Sequence, residues 1–436
     1  MTTAAKNVRR RVVPVAALIG AGTLLLTACS GSGDGSGGSA PTEFSYLSLA
    51  ENTAVQDTLT GLSTGACATQ QEALPLSITT QPQAGIDQQL QLLGGQGALP
   101  VVFAAGNSPQ VIKDLDSGGQ VLDIGSTFDD LGIADDIIPA AKSTIEALYG
   151  SQIVLPTEFN VEGIWYNKKI FADNGIQAPA TWDDLLAASD SLKAAGVTPL
   201  STAGKDGWPV TRLLGNYIYR TLGPDAMQKV ADGEAKLTDP EYVAAAQAVA
   251  DLGAAGDFGP SVGSIDYTTA VNQFVNGEAG MFYMGSWILS VFNDPAQNKI
   301  GAENIGFIPF PEVEGGGGSS DQLAANIGVP LGMSASAYDE KVGDWLTCIG
   351  DNFGTDSLKN QGVITGFTVN TPVADLPPLT QTIQDAAAAS PESVLWFEAL
   401  FNAKATSTSQ TNGSQLATGA LSPADFMAKV QADLGN

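Results

Sequence analysis

Between Phe44 and Ala105 the apolar side chains change period repeatedly, and this change decides which architectures are open to the chain. Phe44 to Leu49 alternates apolar and polar residues, the period of a strand. Val55, Leu59, Leu62 and Ala66 then recur at helical spacing up to Cys67. Leu76 to Thr80 is a short strand, and Ile86, Leu90 and Leu93 mark a second helix. Pro100 to Ala105 is a continuous apolar run of the kind a parallel sheet buries on both faces. Strand, helix, strand, helix, strand begins an α/β sheet. At 436 residues the chain is long for a single core, so two lobes are expected.

Later helices carry explicit start and stop signals. In TWDDLLAASDSLKAAG, Thr181 is an N-cap with Asp184 at N3. Trp182, Leu185, Leu186 and Leu192 share a face, and Gly196 ends the helix. In TDPEYVAAAQAVADLG, Asp239 caps, Pro240 takes the first helical position and Gly253 stops the helix. In LSPADFMAKVQADL, Ser422 caps, Pro423 takes the first helical position and Phe426, Val430 and Leu434 share a face. Residues 312–320 (EVEGGGGSS) and the polar run from Thr406 to Gly413 read as low-complexity segments.

The N-terminal end specifies a location. Lys6, Arg9, Arg10 and Arg11 precede a short apolar stretch, Val12 to Leu26, broken by Pro14, Gly20 and Gly22. It is too short and interrupted for a membrane-spanning helix and reads as an export signal. Leu26, Thr27, Ala28 and Cys29 resemble the lipobox of bacterial lipoproteins. That resemblance implies cleavage after residue 28 and lipidation of Cys29. Two or three acyl chains suffice for stable anchoring at the outer face of the cell membrane. Residues 29–42, rich in Gly and Ser, form a flexible tether.

Composition excludes several function classes. The full chain carries −27, and the leader removes four cations and no acids. A surface this acidic repels nucleic acid. Arg212 and Arg220 are the only arginines after the leader, which disfavours strongly anionic ligands. There is no histidine, so Ser-His-Asp and Cys-His catalysis and histidine-containing metal sites are absent. No cofactor or metal is called for. Cys67 and Cys348 remain as an even pair in an exported chain, suited to one disulfide or to two separate buried thiols.

Two stretches carry recognition: YNKKIFADNGIQAPATWDDLLAASDSLKAAGVTPLSTAGKDGWP, Tyr166 to Pro209, and VNGEAGMFYMGSWILSVF, Val275 to Phe292. With IGFIPFPE after them, these motifs resemble, in content and order, the family 1 extracellular solute-binding proteins of carbohydrate ABC importers, the maltose-binding-protein-like group. The resemblance spans residues 41–436. It departs from the family's pattern at the polar loop Gly106 to Pro109, where relatives often carry an aromatic residue.

The resemblance implies a type II periplasmic-binding-protein-like fold, two α/β lobes joined by hinge crossings. Lobe one would comprise 43–159 and 327–371, and lobe two 160–326 and 372–436. Crossings would fall near Phe159 to Glu162, Asn326 to Val329 and Val369 to Ala374. Lobe one then holds Cys67 and Cys348 together, which supports their pairing. Ligand contacts of the family fall on Asp206, Gly207, Trp208 and Trp287, near Asn160 and Trp396, and in lobe one near Glu51, Asn52 and Asn107. The implied partners are a small carbohydrate and the subunits of an ABC permease, with the receptor a monomer.

The chemistry of sugars points the same way. A sugar has apolar C–H faces and a rim of hydroxyls, so its site needs flat aromatic surfaces edged by amides or carboxylates. Trp182 and Trp345 fall on helices with apolar spacing and Trp165 in an apolar run, so these three read as core. Trp208 lies in the turn GKDGWP beside Asp206. Trp287 follows Gly285 and Ser286, small residues that would let a ligand approach the backbone. Trp396 begins an aromatic pair with Phe397, and Phe367 suits either a further wall or the core. The expected function is capture of a neutral sugar or oligosaccharide without chemistry. The alternatives are a receptor of the same fold for a peptide, polyamine or glycerol-phosphate diester, and a surface glycoside hydrolase, which would need two suitably spaced carboxylates.

Overall fold

The computed structural model describes residues 40–435 except 51–52, 83–84 and 107. Cys29, the leader and most of the tether lie outside the described residues, as do Glu51, Asn52 and Asn107. No described helix is long and apolar enough to cross a membrane.

The strands are, in chain order, β1 (Phe44–Leu49), β2 (Leu76–Gln81), β3 (Val102–Ala104), β4 (Asn160–Asn167), β5 (Thr198–Ser201), β6 (Ala279–Gly285), β7 (Ile305–Ile308), β8 (Gln322–Asn326), β9 (Leu331–Met333) and β10 (Glu392–Val394). They form two sheets. The first has the order β2-β1-β3-β9, with β1 parallel to both neighbours and β9 antiparallel to β3. The second has the order β10-β8-β4-β6-β5, and β7 also pairs with β4. The chain passes from the first sheet to the second between β3 and β4. It returns between β8 and β9, and leaves again through the long helix Glu340–Gln361 to reach β10.

Each sheet is buried by helices on its apolar faces. Phe44 of β1 stacks on Trp345 of the long helix, with ring centroids 4.7 Å apart, and the Trp345 indole N–H donates to the Leu74 carbonyl at 2.9 Å. Trp165 of β4 is fully buried and packs against Phe292 and Phe307. Trp182 packs on Tyr217 and Phe310. These three tryptophans are core. So is Phe367, which is buried against Phe353. A disulfide joins Cys67, just before the helix Ala68–Ala73, to Cys348 in the long helix, closing a sequence separation of 281.

Local signals held where the cap chemistry was complete. Thr181 and Asp184 form a reciprocal capping box, and Gly196 follows the helix with φ +74°. Ser422 accepts from the Asp425 amide. Three expectations need correction. Asp239 stands at the N-cap of Pro240–Ala254, but its carboxylate turns back to accept the Lys236 amide at 2.8 Å. Gly253 lies inside the last turn, where an added Cβ would sit 1.9 Å from the Ala417 carbonyl oxygen. The left-handed residue that follows the helix is Gly256, with φ +78°. The first helix ends at Thr64, which leaves Ala66 exposed.

The two internal low-complexity segments are ordered. The run from Thr406 to Gly413 belongs to the helix Ala403–Ala417, whose buried face is Ala405, Ser409, Gly413, Leu416 and Ala417. In the glycine loop, the amides of Gly317 and Gly318 donate to the carbonyls of Thr221 and Arg220 at 2.9 and 3.1 Å. The loop thereby satisfies the otherwise open carbonyl end of the helix Trp208–Leu222.

Candidate functional site

Three indoles from three separate segments converge. Trp208 is the first residue of its helix, with Pro209 behind it, and is half-buried. The GKDGWP turn is held in place by Asp206, whose carboxylate accepts the Tyr267 amide at 2.6 Å. The Tyr267 ring lies 6.1 Å from Trp208. Trp287 sits in a short 3-10 turn after β6, and its ring is also 6.1 Å from Trp208, tilted by 56°. Trp396 follows β10. The guanidinium of Arg212, one turn beyond Trp208, lies 5.0 Å from the Trp396 ring and 5.9 Å from the Trp208 ring, within cation–π range.

Arg212 is anchored below the indoles. Its Nη1 pairs with Glu162 on β4, a carboxylate 2% exposed. The second Glu162 oxygen accepts from the Tyr283 hydroxyl at 3.0 Å, and Asn216 donates to that hydroxyl at 2.6 Å. Burial first, and the Glu162 carboxylate second, hold the Tyr283 phenol well above its ordinary pKa, so it stays a donor. Asn326 on β8 donates to Glu162 at 3.2 Å and accepts from Asn160 at 3.3 Å.

Two cavities adjoin these rings. The larger, about 810 Å³, is lined by Asp206, Lys205, Trp396 and Glu398, by Thr406, Ser407, Gln410 and Thr411 from the Ala403–Ala417 helix, and by Asp87, Ser108 and Pro109 from the first-sheet side. Its volume lies in the range of small-molecule sites. The smaller, about 260 Å³, is lined by Trp287, Asn160, Ser286 and Glu158 together with Gln361 and Gly362 from the end of the long helix. Of the acids around the larger cavity, Glu398 is buried. Burial raises its pKa, against the lowering effect of the Ser409 hydroxyl that donates to it.

The structure thus brings together Trp208, Trp287, Trp396 and Asp206, and it places Asn160 beside Trp287 across the smaller cavity. One local reading changes, and a second residue gains a packing role. Gly285 does not open the backbone to a ligand, because an added Cβ would sit 1.9 Å from the Trp287 ring itself, which folds over it. Gly207, with φ +73° and ψ −42°, is required by packing, since an added Cβ would lie 1.7 Å from the Gln410 carbonyl oxygen. The sequence reading missed Tyr267, Arg212 and Glu162, and it also missed the cavity-lining face of the Ala403–Ala417 helix. Arg212 stood out as one of two arginines after the leader, a rarity read only as evidence against anionic ligands. Arg220, the other, is buried, with Nε donating to the Phe310 carbonyl at 3.1 Å. Flat aromatic faces, a polar rim and a cavity this size suit a ligand with apolar faces and hydroxyl edges. Among the described residues, no group of acids or cysteines is placed to hold a metal ion.

Comparison with known proteins agrees with this geometry. The family model for the bacterial extracellular solute-binding protein matches residues 77–350. A probable sugar-binding periplasmic protein of Mesorhizobium japonicum is 26% identical over 243 residues, covering 52% of this chain and 57% of that protein. An uncharacterized ABC transporter extracellular-binding protein of Pyrococcus horikoshii is 28% identical over 186 residues, covering 42% and 40%. The chain spans about half the length of the curated relatives it matches. Among solved structures, a chitin oligosaccharide binding protein is 25% identical with a TM-score of 0.70, covering 90% of this chain and 98% of that one. A family 1 extracellular solute-binding protein from Bifidobacterium longum subsp. infantis shares the fold with a TM-score of 0.72 at 17% identity, covering 91% and 99%. The fold is the α/β fold of these two-lobed proteins, and the chain belongs to the bacterial extracellular solute-binding proteins.

Proposed function

We propose that this protein captures a neutral sugar or oligosaccharide between two lobes and delivers it to an ABC permease. The convergence of Trp208, Trp287 and Trp396, with Trp396 on the polar-rimmed cavity of about 810 Å³ and Trp287 on the smaller one, carries this reading. The family is one of binding proteins, and relatives are described as sugar-binding periplasmic proteins. The lobes are 43–159 with 327–371, and 160–326 with 372–436. Ligand contacts fall on Trp287, Trp208, Gly207, Asp206, Asn160 and Trp396 in lobe two, and near Glu51, Asn52 and Asn107 in lobe one. A ligand touching both lobes favours the closed state and shifts the population toward it. A micromolar dissociation constant, about −8 kcal/mol, is within reach of a few stacked rings and paired hydroxyls. The receptor works as a monomer outside the cytoplasm, held to the membrane by lipid on Cys29.

The test is titration of intrinsic tryptophan fluorescence in residues 41–436 with raffinose, galactose, xylo-oligosaccharides and chitin oligosaccharides. Saturable change with one class, lost in Trp287→Ala, supports the reading. A folded protein that responds to none of them, or that turns over a reporter glycoside, overturns it. Anchoring is tested separately, by acyl labelling lost in Cys29→Ser.

A further inference from the structure

We propose that Arg212 is a positioning residue of the ligand site: its guanidinium, fixed by Glu162, holds the Trp396 and Trp208 indoles at their working angle. This assignment rests on the sugar-receptor reading for what the indoles then bind. Trp396 and Trp208 belong to segments far apart in the chain, one after β10 and one opening a helix. Arg212 approaches both rings, at 5.0 and 5.9 Å, and thereby ties the two segments to one another.

The support beneath it is complete on the Glu162 side. Glu162 is 2% exposed, and its two oxygens engage Arg212, Asn326 and Tyr283. Asn216 bonds both the Tyr283 hydroxyl and the Arg212 carbonyl, closing the group on itself. Asn326 also accepts the Gly328 amide at 3.1 Å and the Asn160 side chain at 3.3 Å. The guanidinium is therefore connected to the backbone where β8 leaves the second sheet for β9. Stability alone does not account for this arrangement. A buried ion pair replaced by well-packed apolar groups is often neutral or stabilising for the fold. A planar cation against two indoles supplies orientation that an aliphatic chain of similar length lacks.

The test compares Arg212→Met, Arg212→Lys, the double variant Arg212→Met/Glu162→Met and Trp396→Ala, each checked for folding by far-UV circular dichroism and melting. The ligand is the tightest binder of the saccharide panel. Arg212→Met is expected to fold and to bind about tenfold more weakly, the fold-change of a lost cation–π contact. Arg212→Lys is expected to recover only part of that loss. On a Trp396→Ala background, Arg212→Met should add clearly less than it costs alone, because only its hold on Trp208 remains. A full additive loss there would mean that Arg212 does not act through Trp396 and would overturn the positioning role. Wild-type affinity in the folded double variant would also overturn it. A second readout needs no ligand: the indole N–H resonances of Trp208 and Trp396 should shift or broaden in Arg212→Met while that of Trp345 stays. If they do not move, the proposal fails. If they do move and no saccharide binds the wild type, the proposal stands and the sugar reading alone falls.

Discussion

Replacing Gly207 by Ala tests whether the GKDGWP turn is shaped by packing. The residue has φ +73° and ψ −42°, outside even the left-handed helical well. Forcing an L side chain there costs about 1–3 kcal/mol. The added Cβ would lie 1.7 Å from the Gln410 carbonyl oxygen, whereas real Cβ atoms essentially never come within 3.0 Å of another heavy atom. The Ala403–Ala417 helix would have to retreat by more than an ångström, an overpacking cost of about 1–3 kcal/mol. The lower entropy of the unfolded Ala chain offsets about 0.4–1 kcal/mol in that state's disfavour. The net expected loss is about 1–6 kcal/mol, or about 1–7 °C for a unit of roughly 400 residues. Urea unfolding followed by tryptophan emission measures it. Gly233→Ala is the control, because Gly233 has φ +76° with nothing within 4 Å of the added Cβ and incurs only the backbone term. Gln410 and Thr411 line the larger cavity, so helix retreat should also weaken saccharide binding about tenfold. Equal losses for Gly207→Ala and Gly233→Ala would refute the clash argument, and unchanged affinity would refute the link to the cavity.

Removing the disulfide by Cys67→Ala/Cys348→Ala opens a loop of 281 residues, for which chain entropy sets an upper value of about 5–6 kcal/mol. Denaturant curves should show a loss of about 3–5 kcal/mol, reproduced in the wild type by reductant. Glu398 has its folded pKa raised by burial above 4.5, so the native state retains a proton that the unfolded chain releases first. Its contribution to stability therefore falls as pH rises from about 4.5 through the folded pKa, and Glu398→Gln should flatten that part of the pH–stability profile. Trp345→Ala should lose about 3–5 kcal/mol of stability, as for a deleted core ring. Trp287→Ala should lose affinity instead, and unfolding curves measured beside titrations separate the two.

Much of the fold was legible because its signals are local. The capping box at Thr181 and Asp184, the Ser-Pro start at Ser422, and the period changes from Phe44 to Ala105 each need only neighbouring residues. The Ala403–Ala417 helix was hidden because Ser, Thr, Asn and Gly compete with helix formation locally. Its signal was tertiary: Ala405, Ser409 and Gly413 recur every four residues as a small face for close packing. The same limit applied at the site. Trp165, Trp182 and Trp345 could be assigned to the core from an apolar run or helical spacing, Trp208 stood apart by its turn and Trp287 by the small residues before it, while Trp396 rested on the resemblance. Glu162 sat in an unremarkable strand, and only the arrival of Arg212 from another element gave its carboxylate a role.

The first sheet has a consequence for the order of assembly. Its strands β1, β2 and β3 are complete early, but β9 follows β3 by more than two hundred residues, after nearly all of the second sheet. A chain emerging from its N-terminus would present β3 with an unfilled edge throughout that interval, and Cys67 would wait longer still for Cys348. Contacts this distant in sequence form slowly. An open strand edge and an unpaired thiol are both sites for wrong partners. Folding of this protein should therefore depend more on what shields that edge during emergence than on the final stability of either sheet.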